Sequence, residues 1–527
     1  MPHFISNLIF LDGWRRHGLA FVAGAVASLA QPPLALFPLL WVCVPLLVWL
    51  LDSASLGKNF KASAWAMAKV GWLFGFGFFL VTFYWLGAAF LVEADKFVWA
   101  LPLAILLLPA GLALFWAMAC GLSAWVWSAS PLRVIWLALA LSAMEWMRGT
   151  VLTGLPWGGF APALASNSVM MQALALVGPN TMTLFAVLLF GLPVFLFGDH
   201  QNRRLGWQLA TVTGLLFIAQ LTYGAYRLAQ PMPQQDHASV VRLVQPNIPQ
   251  VEKWKFENRS WIFNRLIAMT TLDSEETPVD SVDLVIWPES AIPFYLIEDP
   301  EALATIAQAL PEDTGLITGA LRRERSEVGG ETVYNSIYQM ASDGTVLSAY
   351  DKVHLVPFGE YLPKQSWLKA IGLEQLTAQK SGFTAGTNRR LLRDVNLGTI
   401  LPLICYEIAF SDEVQAFPEG ADWIINVTND AWFGATIGPK QHLHLAQMRA
   451  VESGLPVIRA ANTGVSAIIS GKGQILHQMP LETEGIIQGK LPSKLPITLY
   501  KQWGNWIFAS LWAFLYIATA SIRRKLR

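Results

Sequence analysis

The segment Leu401-Pro402-Leu403-Ile404-Cys405-Tyr406-Glu407 is an apolar run that stops abruptly on a thiol, a phenol and a carboxylate. A short unbroken apolar run bounded by polar residues reads as a strand buried on both faces. Such a strand carries whatever follows it to the end of a sheet. Two upstream segments share this form. Leu284-Val285-Ile286-Trp287-Pro288-Glu289-Ser290 brings Glu289 past a buried strand, and Tyr350-Asp351-Lys352-Val353-His354-Leu355-Val356-Pro357-Phe358-Gly359-Glu360 brings Lys352 and Glu360.

Around these segments the pattern alternates. β-rich runs are expected at Ser239–Gln245, Asp283–Pro288, Gly315–Ala320, Val333–Met340, Thr399–Cys405 and Trp423–Val427, with helices at Asn258–Thr271, Pro300–Leu310 and Pro439–Ser453. Strands alternating with helices predict an α/β domain of sandwiched sheets covered by helices. It spans about 230–497, long enough to bury a core of its own.

Outside that domain the chain is different. Of 527 residues, 54% are hydrophobic and 14% charged. Soluble domains carry roughly 25% charged residues. The zero net charge hides a partition. Residues 1–230 carry 11 basic and 6 acidic side chains, residues 231–500 carry 21 and 31, and the last 27 carry five basic and no acidic ones. Two apolar, basic ends flanking an acidic domain exclude a single soluble domain, a disordered chain and a nucleic-acid binder with a basic face.

A membrane span needs about 20 apolar residues. Such runs lie near 70–91, 97–127, 132–147, 168–197, 205–225 and 503–522, and 18–51 is a longer one broken by Gln31-Pro32-Pro33. Proline ends a helix, so 18–51 reads as a hairpin of two spans. The expectation is a bundle of eight transmembrane helices, organised as 1–229 (seven spans), 230–497 (the α/β domain) and 498–527 (span eight and a basic tail). Lys and Arg favour cytoplasmic loops. With eight spans Arg15, Arg16, Lys58, Lys61, Lys69, Arg133, Arg203, Arg204 and the tail all fall on one side. Both termini are then cytoplasmic and the acidic domain faces outward. A rival reading takes Arg15-Arg16-His17 and Ser28-Leu29-Ala30 as a cleavable leader, which would spoil that parity. Gly71, Gly75 and Gly77 suit close helix packing, and Trp65, Trp85, Trp99 and Trp127 suit an interfacial belt.

The chemistry rests on the strand ends. Cys43, Cys120 and Cys405 have no metal spacing and make no disulfide framework. Cys43 and Cys120 lie in apolar runs as packing residues. A thiol is a weak nucleophile until a base or cation assists it. Glu289 has the chemistry of that base, and Lys352 that of a cation for a thiolate and an oxyanion. Singly, each residue has a plain structural reading. The ordered set of Trp-Pro-Glu, Lys-x-x-Leu-x-Pro-Phe-Gly-Glu and Cys-Tyr-Glu resembles the carbon–nitrogen hydrolase (nitrilase) superfamily, with a Glu-Lys-Cys triad on an α-β-β-α sandwich. The layout of spans around it is similar to the superfamily's membrane branch, the apolipoprotein N-acyltransferases. Asn247-Ile248-Pro249-Gln250 leading to Trp254 supports that likeness, as do Glu145-Trp146-x-Arg148-Gly149, Asn426-x-Thr428-Asn429-Asp430-x-Trp432-Phe433, and Gln441-His442 with Arg449-Ala450-x-Glu452.

The resemblance implies a bacterial inner-membrane enzyme with a periplasmic catalytic domain. It implies a phospholipid acyl donor, a Cys405 thioester, and transfer to the α-amine of the diacylglyceryl-cysteine that begins an apolipoprotein. Glu289 becomes general base, Cys405 nucleophile and Lys352 oxyanion partner, with the Tyr406 N–H beside it. Trp254, Glu360, Tyr406 and Glu407 become supporting residues. Ala409-Phe410-Ser411-Asp412 departs from the Arg-Phe-Pro-Glu that many soluble hydrolases carry there. No cofactor, metal or nucleic acid is implied, and a monomer in the bilayer is expected. Lipid substrates favour a site whose mouth faces hydrocarbon. Phe358, Tyr361, Leu362, Trp367 and Leu368 read either as a lipid-facing arm or as a plain surface loop. His442-x-His444 lacks further ligands for a metal site, and Asn426-Val427-Thr428 reads as a buried strand end rather than a glycosylation sequon. A membrane-anchored amidase and a non-enzymatic transporter or scaffold stand as alternatives.

Overall fold

The computed structural model describes residues 5, 8–197, 202–233, 239–273, 278–325, 331–370, 376 and 382–526, apart from the side chains of Leu368, Lys369 and Leu526. Gly329, Gly330 and Arg527, and the Leu368 side chain of the apolar stretch, lie outside the described residues. The chain forms two compact units. One comprises Met1–Gly87, Trp99–Pro231 and Ile497–Arg527, the other Ala88–Val98 and Met232–Pro496.

The first unit is helical. Among the described residues, six helices are long and apolar enough to cross a membrane: Phe37–Ser55, Phe60–Leu91, Ala94–Ser123, Leu132–Thr153, Arg203–Ala229 and Trp506–Lys525. Two of the eight expected spans are shorter. Gly13–Ala27 has 15 residues. The run 168–197 resolves into Ser168–Met171, Leu174–Phe190 and Leu192–Leu196. Leu174–Phe190 is itself kinked at Gly178, which takes φ 70° before Pro179, and Leu192–Leu196 carries Pro193 in its first turn, because glycine tolerates positive φ and proline lacks the donor that continues a helix. The expected third span also starts ten residues early, so Lys61 and Lys69 sit on a helix rather than in a loop.

Arg133, expected in a loop, is in fact packed inside this unit, and so is Arg148 of the Glu145-Trp146-x-Arg148-Gly149 motif. Arg133 lies 3.2 Å from Asp52, which also accepts Trp127 Nε1 at 2.9 Å. Arg148 clasps Glu145 through Nε and Nη2, both at 2.8 Å, while Trp116 Nε1 donates to the same carboxylate at 2.7 Å. Arg148 also donates to the carbonyls of Trp157 and Gly158 at 3.1 Å, tying down the segment between helices. A buried charge persists only when paired and hydrogen-bonded, and these are. Trp85 is likewise buried rather than belted. A Cβ on Gly77 would collide with the Phe21 carbonyl, and one on Gly71 with Cys120 and the Trp116 carbonyl. These glycines let helices touch backbone to backbone.

Among the described residues, the second unit holds twelve strands: β1 Val240–Gln245, β2 Leu284–Ile286, β3 Gly315–Arg325, β4 Glu331–Met340, β5 Val346–Asp351, β6 Leu392–Asp394, β7 Gly398–Ile404, β8 Trp423–Thr428, β9 Val457–Ala461, β10 Ser466–Ile469, β11 Ile475–Met479 and β12 Gly485–Lys490. They form two six-stranded sheets, ordered β12-β1-β2-β3-β4-β5 and β11-β10-β9-β8-β7-β6. In each, three neighbouring strands run parallel (β1-β2-β3 and β7-β8-β9) and the flanking pairings are antiparallel. Side-chain alternation assigns the faces. Val241, Leu243, Leu284 and Ile286 enter a core shared with Leu401, Leu403, Ile425 and Ile458 of the other sheet. Val244, Val285 and Trp287 turn the other way, onto Ile262, Phe263 and Leu266 of the helix Arg259–Thr270 and Ile306 of Pro300–Ala309. The result is two sheets face to face with helices outside. The parallel strands point their C-terminal ends one way in each sheet, and Glu289 and Cys405 follow two of them.

Candidate active site

Cys405 comes directly after β7 and adopts φ 50°. A left-handed conformation costs a non-glycine residue roughly 1–2 kcal/mol. The turn Cys405–Ala409 that follows is anchored by Glu407. Its Oε2 accepts the Ile404 N–H at 2.8 Å. Its Oε1 accepts Val353 N–H at 2.8 Å, His354 N–H at 3.1 Å and the Tyr350 hydroxyl at 3.0 Å. Burial pushes the Glu407 carboxyl up, partly countered by the Ile404 N–H and by Lys352. One carboxylate therefore binds the turn after β7 to the turn after β5.

Lys352 follows β5 and is 1% exposed. Its N–H donates to the Asn335 carbonyl at 2.8 Å. Its Nζ donates to Glu360 Oε1 at 2.9 Å and lies 3.6 Å from Glu289 Oε1. Burial lowers this ammonium's pKa, but Glu360, Glu289 and Cys405 outweigh burial and hold it above the ordinary lysine value. Lys352 is a fixed cation. Glu360 is itself held, because Oε2 accepts the Val356 N–H at 2.8 Å.

Glu289 stands two residues past Trp287, whose indole donates to Thr270 Oγ1 at 2.9 Å. Asn335 Nδ2 donates to Glu289 Oε1 at 2.7 Å and to Glu360 Oε1 at 3.1 Å. Two carboxylates, one ammonium and one amide thus form a closed buried network. Burial raises the Cys405 thiol, Glu289 raises it further, and Lys352 only partly offsets them. The resting group is a thiol, not a thiolate.

Of the seven residues singled out from sequence, Glu289, Lys352 and Glu360 join this polar network, and Glu407 anchors the turn that carries Cys405 and Tyr406. Tyr406 is buried, edge-on to Phe410 at 4.8 Å and to His354 at 5.5 Å. Trp254 is half-buried at the end of the short helix Gln250–Lys253, without a hydrogen bond to the network among the described residues. Its neighbour Lys253 was not anticipated. Lys253 Nζ, 1% exposed, donates to the Glu289 carbonyl at 3.1 Å, and burial brings its pKa down to about 8. Asn335 was also missed, although an asparagine inside the apolar strand 333–340 is a legible signal. Of the apolar stretch, Phe358 and Trp367 are exposed and Leu362 is buried.

Cys405, Asp430 and His442 bring a sulfur, a carboxylate oxygen and an imidazole nitrogen within 4.8 Å of one another. Sequence spacing had given His442 only His444 as a companion, and folding supplies these two instead. The set does not suit a cation. Arg459 Nη2 occupies Asp430 Oδ2 at 2.7 Å and lies 3.0 Å from His442 Nδ1, placing a guanidinium where a metal would bind. Burial raises the Asp430 carboxyl, but Arg459 and His442 hold it down at about 2.

Residues 240–497 match the carbon-nitrogen hydrolase family, and residues 23–192 match the apolipoprotein N-acyltransferase N-terminal domain. Among curated relatives, the apolipoprotein N-acyltransferase of Rhodopseudomonas palustris is 41% identical over 96% of this chain and 95% of its own length. That of Brucella suis is 44% identical over 93% of this chain and 92% of its own, and that of Sinorhizobium fredii 40% over 100% and 99%.

Proposed function

This chain belongs to the apolipoprotein N-acyltransferase family, and from that premise we propose that it moves an acyl chain from a membrane phospholipid to the α-amine of the diacylglyceryl-cysteine at an apolipoprotein's N-terminus. Cys405 is the nucleophile, Glu289 the general base and Lys352 the oxyanion partner. The buried Lys352 between Glu360 Oε1 at 2.9 Å and Glu289 Oε1 at 3.6 Å is the observation that carries this reading.

In the first half-reaction the thiol proton passes to Glu289 and sulfur attacks the ester carbonyl. The tetrahedral oxyanion is stabilised by Lys352 Nζ and the Tyr406 N–H. The ester C–O bond breaks, and the departing glycerol oxygen takes the proton from Glu289. In the second, the neutral α-amine attacks the thioester, Glu289 takes an amine proton, the C–S bond breaks and sulfur recovers that proton. Because the resting thiol is protonated, the base is indispensable. Because Lys352 stays charged, it stabilises charge without shuttling protons. Glu360 and Asn335 hold Lys352 and Glu289 apart at working distances, and Glu407 holds the turn that carries Cys405 and Tyr406.

The proposal extends to organisation. Eight apolar helices, including the two short ones, make eight spans, with both termini cytoplasmic and the 230–497 domain periplasmic. The enzyme acts as a monomer and needs no cofactor.

The test is the intact mass of the full chain in detergent with phospholipid and no acceptor. A stable acyl adduct that is released by hydroxylamine and absent from C405A is expected, with little free fatty acid. Rapid release of fatty acid without any acceptor would favour a hydrolase and overturn the transferase reading.

A further inference from the structure

We propose that His442 is a positioning residue for acyl transfer, holding the Cys405–Tyr406 peptide in the orientation that turns the Tyr406 N–H into the oxyanion site. The inference rests on the acyl-enzyme reading above and assigns a role to a side chain outside the Glu289, Lys352, Cys405 set.

His442 Nε2 lies 3.1 Å from the carbonyl oxygen of Cys405. A trans peptide is planar, and its C=O and N–H point in opposite directions. Fixing the Cys405 carbonyl toward His442 therefore fixes the Tyr406 N–H away from it. This peptide needs fixing. Cys405 sits in the left-handed region at φ 50°. An unrestrained residue there relaxes by rotating an adjacent peptide plane. Rotation would replace the N–H donor with a carbonyl lone pair, facing a developing negative charge.

The imidazole is built as a rigid donor. It projects from the helix Gly438–Ser453, whose Leu443, Ala446 and Ala450 are embedded in the core between and around the sheets. Nδ1 lies 2.8 Å from Asp430 Oδ1 and 3.0 Å from Arg459 Nη2. Asp430 accepts Thr428 Oγ1 at 3.0 Å on Oδ1 and Arg459 on Oδ2, and Arg459 also donates to Asn426 Oδ1. His442, Asp430, Arg459 and Asn426 are all fully buried. A protonated ring gives one hydrogen to Asp430 and one to Cys405. A neutral ring with its proton on Nε2 keeps the Cys405 hydrogen bond and accepts from Arg459 at Nδ1, with that lone pair also turned on Asp430 Oδ1. Both place N–H on Nε2. The remaining tautomer would set an Nε2 lone pair against the Cys405 carbonyl, an unpaired contact in a buried site.

The distinguishing test compares two reactions of the same sulfur in the full-length enzyme in detergent. Thioester formation from phospholipid builds an oxyanion, whereas alkylation by iodoacetamide displaces iodide and builds none. H442A should form the acyl adduct about 10²–10³-fold more slowly, the range for loss of one oxyanion donor, while iodoacetamide alkylates Cys405 at a rate within about threefold of wild type. H442Q, whose amide nitrogen can reach the position of Nε2, should regain most of the loss and form the adduct within about tenfold of wild type. Adduct formation by H442A at the wild-type rate would overturn the inference, as would an equal fall in both reactions, which marks a purely structural role. If H442A does not fold, H442Q decides alone: adduct formation within tenfold of wild type upholds the donor role, and a hundredfold loss with normal alkylation overturns it. A wild-type enzyme that forms no thioester would instead refute the acyl-enzyme reading, leaving a different and separately visible failure.

Discussion

Glu407 Oε1 accepts the main-chain N–H of Val353 at 2.8 Å, joining the turn after β7 to the turn after β5 and so the Cys405 loop to the Lys352 loop. Three further donors, from Ile404, His354 and Tyr350, converge on the same carboxylate. Glu407→Ala leaves all four without an acceptor, and each stranded buried donor costs about 1–3 kcal/mol. The expected order of thermal midpoints is wild type, then E407Q, then E407A, with adduct formation lost in E407A. Equal midpoints would show that the two turns are held by something else.

The Cys405 thiol carries a pH signature. Burial and then Glu289 raise its pKa above the ordinary 9.0, with Lys352 only partly compensating. Alkylation of Cys405 by iodoacetamide should therefore keep rising through pH 9 without a plateau, close to tenfold per unit. The linked stability effect has a definite sign. Below pH 9 the thiol is protonated whether the chain is folded or not, and nothing is gained or lost. Above pH 9 the unfolded chain releases its proton first, so stability falls as pH rises. A plateau near neutral pH would mean a thiolate paired with Lys352. Cys43→Ala and Cys120→Ala, on apolar helices of the first unit, should leave acyl transfer largely intact.

Gly319 tests the support behind Glu289. A Cβ there would lie 2.6 Å from Glu289 Cα and the Pro288 carbonyl and 2.7 Å from Ser290 N, all backbone atoms that cannot turn aside. Gly319→Ala should cost about 1–3 kcal/mol through overpacking and slow adduct formation at least tenfold. Gly214→Ala, with nothing within 4 Å of its Cβ and inside the helix Arg203–Ala229, is the control and should leave adduct formation unchanged while adding up to about 1 kcal/mol of helix stability. Retained activity in Gly319→Ala would mean that the Glu289 loop is free to shift.

Topology is tested by reporters. One fused after the basic tail should behave as cytoplasmic, and one inserted at Gly329-Gly330, between β3 and β4, as periplasmic. Reports from the same compartment would mean that Trp506–Lys525 does not cross the membrane and that the count of eight is wrong.

The linear pattern alone carried a good part of this protein. Apolar runs marked the bundle because a bilayer demands long stretches without charge. The strand-end segments marked Glu289, Lys352 and Cys405 because each lies beside its own strand. Local spacing could not reveal how Arg148 and Arg133 are used. A charge near the end of an apolar run looks like a loop charge, and only packing shows it clasping Glu145 or Asp52. Nor could it reveal the paired edges of the sheets. Strands β5, β6 and β9–β12 are short, and several bury both faces or neither, so period-two alternation is absent. Asn335, Lys253 and the Asn426–Arg459–Asp430–His442 chain come from strands, turns and helices far apart in sequence. What makes them a site is distance in space. Hydrogen bonds and ion pairs act within about 3–4 Å, so their partners are chosen by the register of the two sheets and the seating of one helix, which tertiary structure alone decides.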